Sequence, residues 1–303
     1  MPSFRRPRQL EVCLRALREQ SCPPAELIVV SREDDYATAQ TARRFNAIDT
    51  RVDRAGQLAA MAAGTRRASA DFIGFVDDDV EVPPHWLERC MSHFARPDVG
   101  AVSGRDLVVG EPEGKTEPDP GRISAWGKLR GDHHLGIGSA RSVEILKAAN
   151  MVLRREALSL PEHLRGEGAQ VHLEVAVCLA AVTAGWTLIF DPEIVVQHRP
   201  APRWDDDQRG SPSRKAVENA SYNLVRAICS FRPRLIRRRA VFGLLIGDRA
   251  VPGLVRSIVA VLCGDLGTAR KLVPSLVGQS CALLDTLREG PLRMTSVADE
   301  RTR

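Results

Sequence analysis

Residues 72–83 read FIGFVDDDVEVP, an apolar run that leads directly into three aspartates, Asp77, Asp78 and Asp79. An apolar run of this kind is typical of a buried strand. Three neighbouring carboxylates at the end of a buried strand cost free energy unless a positive group lies beside them. The identity of that positive group is therefore the first question that the sequence raises.

The composition is that of a globular protein of 303 residues, 44% of them hydrophobic and 27% charged. The seven cysteines lie singly without a Cys-x-x-Cys pair, which argues against a zinc ribbon or a disulfide framework and favours a reducing, cytoplasmic compartment. The first ten residues lack the apolar segment of a secretory signal. The longest apolar run near the C-terminus, residues 257–263, is far shorter than the roughly 20 residues of a membrane-spanning helix.

Charge is distributed unevenly along the chain. Residues 199–303 contain 19 Lys and Arg against 10 Asp and Glu, whereas residues 1–198 contain 24 against 28. A basic C-terminal region on an acidic body suits a phosphate-rich partner or an anionic membrane surface. The alternative is a helical cap that packs on the rest of the protein.

Helical and strand patterns alternate along the first half of the chain. Helical patterns at residues 11–20, 36–45 and 56–70 alternate with strand patterns at 27–30, 48–52 and 71–76. This alternation predicts an α/β fold with a doubly wound, mostly parallel, Rossmann-like sheet. Ligands of such sheets bind beyond the carboxyl ends of the strands, where the aspartates lie.

The remainder of the sequence divides at a loop and at a change of composition. Residues 110–121 are rich in glycine and proline and predict a loop between two halves. A helix within residues 172–182 and a pair of strands within 187–198 follow. After Arg203 the pattern is mostly helical and basic, so we predict three segments: residues 1–110, 111–203 and 204–303.

The alternation of side chains along an extended backbone places Asp77 and Asp79 on one side and Asp78 on the other. Two carboxylates on one face predict a site for Mg²⁺ or Mn²⁺, which completes its coordination with water and substrate phosphates. The sequence contains no phosphate-binding glycine loop, so a metal would have to hold any phosphates. The alternative is a solvated loop or a helix cap, although one aspartate suffices for a cap.

Five segments resemble, in the same order, the GT-A glycosyltransferases of family 2. They are PSFRRPRQLEVCLRALREQ, LIVVSREDD, GQLAAMAAGTRRASAD with FIGFVDDDVEVPPHWLE, KAANMVLRREAL, and VAVCLAAVTAGWTLIFDPEIVVQH. The resemblance covers about residues 1–200 and implies a GT-A fold. It makes residues 1–110 the nucleotide-sugar-binding half, 111–203 the acceptor-binding half and 204–303 a helical C-terminal extension.

The resemblance also assigns roles to individual residues. It implies that Asp77, Asp79 and His198 bind the metal, although a lone histidine after a strand is equally well structural. It makes Asn150 and Met151 acceptor-side residues. The nucleotide-sugar-binding set is Pro2, Phe4, Arg6, Asp34, Asp35, Arg54, Asp77 and Asp78.

Glu174 occupies the position of the family's catalytic aspartate, in a Glu-Asp motif whose first residue is Leu173 here. A base is required because glycosyl transfer removes a proton from the acceptor hydroxyl. The alternative is a solvated residue in the first turn of a helix, where the helix dipole favours a negative charge.

Two features depart from the family pattern. Ser31 and Arg32 stand where an aspartate usually contacts the nucleotide base, so Asp34 or Asp35 is expected to serve from a shifted loop. The family's first strand, which precedes the segment at Pro2, is missing, and we expect the natural start of the chain to lie upstream of Met1. For His133 and His134 we favour acceptor or surface roles over a metal site.

These observations and the resemblance predict a metal-dependent glycosyltransferase of polysaccharide biosynthesis, and the resemblance alone implies that it inverts the anomeric configuration. It would transfer a sugar from a UDP-, GDP- or dTDP-sugar to a carbohydrate or lipid-linked acceptor, such as a glycan, a glycolipid or another acceptor of the cell envelope. We expect it in the cytoplasm, at the inner face of the cell membrane through its basic region, and without a nucleic-acid partner. The alternatives are a sugar-phosphate nucleotidyltransferase and a non-catalytic binding module.

Overall fold

A computed structural model describes residues 1–110, 119–204, 212–248 and 251–299. Most of the loop predicted at residues 110–121 lies outside these ranges. The helices are α1 (Pro7–Arg18), α2 (Tyr36–Arg44), α3 (Gln57–Arg67), α4 (Trp86–Ser92), α5 (Leu173–Thr183), α6 (Arg214–Phe231), α7 (Ile236–Leu245), α8 (Leu254–Leu262), α9 (Leu266–Arg270) and α10 (Leu272–Glu289). The strands are β1 (Ile28–Arg32), β2 (Ile48–Val52), β3 (Phe72–Val76), β4 (Val80–Glu81), β5 (Val99–Val108), β6 (Arg122–Ile123), β7 (Leu129–Arg130), β8 (Arg141–Val143), β9 (Asn150–Arg154), β10 (Ser159–Pro161), β11 (Thr187–His198) and β12 (Met294–Ser296).

The central sheet has the strand order β3-β9-β5-β11-β4, and β8 also pairs with β11. Strands β5 and β11 are parallel, whereas β9 is antiparallel to both β3 and β5. Strands β3, β5 and β11 therefore run in one direction, and their carboxyl ends meet at one edge. The α/β class predicted from the sequence is confirmed.

Strands β1 and β2 form a separate parallel pair beside α1, α2 and α3. The backbone of Met1 to Ser3 lies along β1: Ser3 N donates to Val30 O (2.9 Å), and Val30 N donates to Met1 O (2.9 Å). A mainly apolar cavity of about 360 Å³ is lined by residues of both β1 and β3. Among the described residues, no strand pairing joins these two sheets.

Helix α1 shows why these residues fold as they do. Pro7 stands at its start, where the missing N–H of proline costs no hydrogen bond. Leu10, Leu14 and Leu17 recur at helical spacing and are buried in a core that α1 shares with β1 and α4. A second core packs α5 and α6 against the other face of the central sheet.

The prediction of two strands within residues 187–198 is wrong, because the structure has a single strand of 12 residues there, β11. Its pairing with β5 shifts register between Phe190 and Val195, so residues 191–194 stand opposite the single residue Gly104. A Cβ on Gly104 would lie 1.9 Å from the Ile194 carbonyl oxygen. Only glycine lets the two backbones approach this closely.

The C-terminal region packs on the rest of the protein through α6, α7, α10 and β12, which pairs with β10. Arg239 of α7 is completely buried, pairs with Asp248 (2.6 Å) and donates to the Gly127 carbonyl (3.2 Å). Much of the region is therefore a helical cap. None of the helices in the described ranges combines the length and the apolarity that crossing a membrane requires.

The contact at Gly104 gives a test of this packing. We expect Gly104→Ala to lower the free energy of unfolding by about 2–4 kcal/mol, since the methyl group would push β5 away from β11. Gly131→Ala is the matched control, because a Cβ there has no atom within 4 Å, and it should change stability by less than about 0.5 kcal/mol. Urea unfolding measures both, and equal stabilities for the two variants would contradict the proposed contact.

Candidate metal and nucleotide-sugar site

The three aspartates occupy a turn between β3 and β4. Strand β4 pairs with the end of β11, where His198 stands opposite Val80. This pairing places His198 Nε2 3.1 Å from Asp79 Oδ1. One candidate ligand atom each from Asp77, Asp79 and His198 lies within 4.8 Å of the other two.

This cluster fits a divalent cation. Ligands bound at about 2.1 Å to one octahedral ion stand about 3–4 Å apart, which is compatible with the observed spacing. Two carboxylates and an imidazole suit Mn²⁺, and carboxylates with water suit Mg²⁺. Asp77, Asp79 and His198 are therefore the residues that could hold a metal.

Asp78 points away from this cluster, as the alternation of side chains predicts. Its Oδ2 accepts from Ser3 Oγ (2.7 Å) and its Oδ1 accepts from Arg6 Nη1 (2.9 Å). Arg6 also donates through Nε and Nη2 to the Pro202 carbonyl and lies 3.6 Å from Asp79. The positive groups beside the aspartates are thus Arg6 and His198.

Burial and mutual repulsion disturb the protonation of the cluster. Burial, with help from Asp79 and Asp78, raises the pKa of Asp77 to about 6. Burial also raises the pKa of Asp78, although Arg6 opposes this. Burial alone would lower the pKa of His198, but Asp106, Asp79 and Asp77 outweigh it and raise the pKa to about 9.

A cavity of about 220 Å³ opens above the aspartates. The predicted residues that line it are Pro2, Phe4, Arg6, Arg54, Asp77, Asp78 and Asp79. The lining residues that were not predicted include Ser3, Ser31, Arg32, Gln57, Glu167, Gly168, Ala169, Arg203 and Trp204. The guanidinium groups of Arg5 and Arg32 lie 4.9 Å and 5.1 Å from the Phe4 ring centroid.

Asp34 and Asp35, predicted to contact the nucleotide base, are not among the lining residues. Asp34 is exposed and pairs with Arg5 (3.3 Å). Asp35 is buried and caps α2 by accepting from Thr38 N and Thr38 Oγ1. Ser31 and Arg32, which replace the family's aspartate, do line the cavity.

Asn150 and Met151, predicted to lie on the acceptor side, are buried in β9. Asn150 Oδ1 accepts from Ser103 Oγ and Gly104 N (both 3.0 Å), and its Nδ2 donates to the Arg105 carbonyl. Met151 is 0% exposed within the core. Both residues contribute to the packing of β9 in the sheet, and neither is among the residues that line the cavity above the aspartates. His133 is also buried, with Nε2 2.9 Å from the Ile145 carbonyl.

Glu174 lies in the first turn of α5, half-buried and outside the set that lines the cavity. Burial raises the pKa of its carboxyl group, while a backbone N–H and Lys147 oppose the shift. A raised pKa brings a carboxylate closer to the range of a general base at neutral pH.

The sequence pattern of glycosyl transferase family 2 matches residues 1–158. The chain belongs to this family. Its match to the curated "Pre-mycofactocin glycosyltransferase" of Mycobacterium tuberculosis (strain ATCC 25618 / H37Rv) is 28% identical over 152 residues, 47% of this chain and 30% of the relative. The chain therefore spans less than a third of that relative's length.

A solved glycosyltransferase shares the fold of this family 2 member. Mannosyltransferase PcManGT from Pyrobaculum calidifontis, solved with GDP-Man and Mn²⁺, has a TM-score of 0.52 at 17% identity, over 95% of this chain and 85% of that one. Glucosyl-3-phosphoglycerate synthase from Mycobacterium tuberculosis, solved with Mn²⁺, UDP-glucose and phosphoglyceric acid, has a TM-score of 0.49 at 16% identity, over 74% of this chain and 77% of that one. The mannosyltransferase confirms the predicted GT-A fold, and the Asp77–Asp79–His198 cluster confirms the prediction of a site able to hold Mn²⁺ or Mg²⁺.

The raised pKa of Asp77 predicts how the metal-free protein depends on pH. Because the folded-state pKa of about 6 exceeds the ordinary 3.8, ionisation of Asp77 destabilises the fold as the pH rises through 6. In EDTA at pH 8, Asp77→Asn should therefore be more stable than the wild type by roughly 1–3 kcal/mol. The difference should shrink between pH 6 and pH 4.

Urea unfolding at pH 8, 6.5 and 5 measures this effect, and Asp53→Asn, which changes an exposed carboxylate, is the control. A metal-free Asp77→Asn protein that is less stable than the wild type at every pH would contradict the predicted repulsion.

Proposed function

We propose that this family 2 member is a metal-dependent, inverting glycosyltransferase that moves a sugar from a nucleotide sugar to an acceptor hydroxyl. The observation that carries the proposal is the Asp77–Asp79–His198 cluster, whose two aspartates line a cleft together with Phe4, Arg32 and Arg54. Carboxylates and an imidazole suit the metal, and the surrounding arginines suit phosphates.

In this proposal Asp77, Asp79 and His198 would hold Mn²⁺ or Mg²⁺, which when bound would supply positive charge to the nucleoside diphosphate leaving group. Arg32, Arg54 and Arg203 line the same cavity and would contact the phosphates of a UDP-, GDP- or dTDP-sugar. Phe4 offers a ring face for a nucleotide base. Asp34 and Asp35 would contribute to base recognition only from the cavity's border.

Glu174 is the proposed base. Its carboxylate would take the proton of the acceptor hydroxyl as that oxygen bonds to the anomeric carbon, and the bond from that carbon to the diphosphate would break with its electron pair. Attack from the face opposite the diphosphate inverts the anomeric configuration. The carboxyl pKa, raised by burial, supports this role.

We expect Asp79→Asn to lower transfer at least 100-fold, because it removes a metal ligand and leaves His198 without that carboxylate. Glu174→Gln should lower transfer ~10²- to 10⁴-fold and leave nucleotide-sugar binding intact. Asp78→Asn should be much milder than Asp79→Asn, since Asp78 contacts Ser3 and Arg6.

A panel of UDP-, GDP- and dTDP-sugars with Mn²⁺ tests these expectations, with thermal shift for binding and release of the nucleoside diphosphate for turnover. A wild-type protein that binds a nucleotide sugar yet neither hydrolyses nor transfers it would be a binding module. Equal, mild effects of all three variants would also contradict the proposed site.

The proposal extends to the surface of α8, where the usual pattern of burial is reversed. Ser257 and Ala260 face the protein and are buried. The large apolar residues face outward, and Leu262 is 81% exposed. The exposed apolar set comprises Leu244, Leu245, Ile246, Leu254, Val255, Ile258, Val259, Val261 and Leu262, and we call it the α7–α8 apolar face.

An apolar surface of this extent with cations nearby suits a lipid bilayer. Arg234, Arg237 and Arg238 are exposed at the start of α7 and would attract anionic headgroups. We infer a peripheral contact with an anionic membrane, which would bring the protein to a lipid-linked acceptor.

Flotation on vesicles tests this contact. The triple variant Leu254→Ser, Ile258→Ser, Leu262→Ser should lose most of the flotation seen with vesicles that contain about 30% anionic lipid, because burial of these side chains supplies the binding energy. The control Val12→Ser, Tyr36→Ser changes exposed apolar residues outside the face. Equal flotation of the triple variant and the wild type, or flotation independent of anionic lipid, would contradict the contact.

A further inference from the structure

Asp106 is a buried carboxylate to which no role has yet been given. It lies in β5, is 1% exposed, and has Oδ2 in close contact with Lys147 Nζ. The same oxygen lies 3.7 Å from His198 Nδ1. His198 Nε2, on the opposite side of the ring, faces Asp79. The imidazole of His198 therefore stands between two carboxylates, one of which belongs to the candidate metal cluster.

Strand register fixes this arrangement. In the parallel pair of β5 and β11, Asp106 stands opposite Val196 and His198 stands opposite Val108. Paired residues share a face of the sheet, and so do residues two apart along a strand, so Asp106 and His198 project from the same face of neighbouring strands. Their proximity is thus a property of the backbone and not of two mobile side chains.

The charges around Asp106 suit a supporting role. A histidine that ligates a metal usually donates its other ring N–H to a carboxylate, a carbonyl or water, which fixes the tautomer and the orientation of the ring. Asp106 faces that other nitrogen. Lys147 lies beside the carboxylate and supplies an opposite charge. A buried charge of this kind is tolerated because it is paired.

We propose that Asp106 is a positioning residue for the metal centre: with Lys147 as its counter-ion, it orients His198 so that Nε2 points at the ion held with Asp77 and Asp79. The inference rests on the proposed metal-dependent function. It adds a carboxylate and an amine to that site, neither of which would touch the metal.

The test is Mn²⁺ binding to EDTA-treated protein, followed by the electron paramagnetic resonance signal of free Mn²⁺. Asp106→Asn should weaken Mn²⁺ binding about 10- to 100-fold. Asp191→Asn is the matched control, because Asp191 is also a buried carboxylate beside a histidine and lies in β11 with His198, but it pairs with His93 Nε2 (2.9 Å) and Arg89 instead of with the metal cluster. It should bind Mn²⁺ within about twofold of the wild type.

The double variant Asp106→Asn, Lys147→Gln removes both charges of the pair. It provides a second test in case the single variant, which leaves Lys147 without its partner carboxylate, does not fold. It should show the same loss of Mn²⁺ affinity, with a thermal unfolding curve that confirms a folded protein. Wild-type affinity in a folded Asp106→Asn or double variant would overturn the proposal, as would equal losses in Asp106→Asn and Asp191→Asn. Absence of Mn²⁺ binding by the wild type would instead contradict the proposed metal dependence.

Discussion

Three carboxylates crowd into one turn after β3, and distant segments of the chain provide different partners for Asp78 and Asp79. Asp78 accepts hydrogen bonds from Ser3 and Arg6, and Asp79 pairs with His198 and accepts from the backbone N–H of Ala201. The pKa of Asp77 is raised, because burial and the neighbouring carboxylates disfavour its charged form. Those partners come from the start of the chain and from the end of β11, so the turn is stable only after distant segments have assembled around it. The same crowding suits the turn to a cation, because a bound ion would relieve the repulsion that remains.

Much of this could be predicted from the sequence, because the signals are local. The alternation of apolar helical and strand patterns gives β1, β2, β3 and the helices between them, and the side-chain alternation separates Asp78 from Asp77 and Asp79. The insertion of β9 between β3 and β5 could not be predicted, since it depends on which edges meet in space. The same holds for Arg203, Trp204 and Asp106, whose proximity to the site is fixed by long-range pairing and not by their neighbours in the chain.

Residue type alone does not show whether a polar side chain binds a ligand or forms hydrogen bonds with the backbone. Asp35 follows the cavity-lining residues Ser31 and Arg32 closely in the sequence, yet its carboxylate accepts a hydrogen bond from Thr38 N in the first turn of α2. Asn150 uses its amide to join β5 and β9. A resemblance in sequence does not distinguish a residue that binds a ligand from one that holds the backbone in place. In the C-terminal region, the sequence left open a helical cap or a surface for an anionic membrane. Helices α6 and α10 pack on the rest of the protein as a cap does, whereas α8 exposes its large apolar residues.

The irregularity in β11 separates two stretches of regular pairing with β5. Leu188 to Phe190 pair with β5 before residues 191–194, and Val195 to His198 pair with it after them. The face on which the imidazole of His198 lies is set by the second stretch, in which His198 stands opposite Val108, two residues from Asp106. A change of length within 191–194 that left this second stretch paired would therefore alter only the irregularity and keep the imidazole beside Asp106.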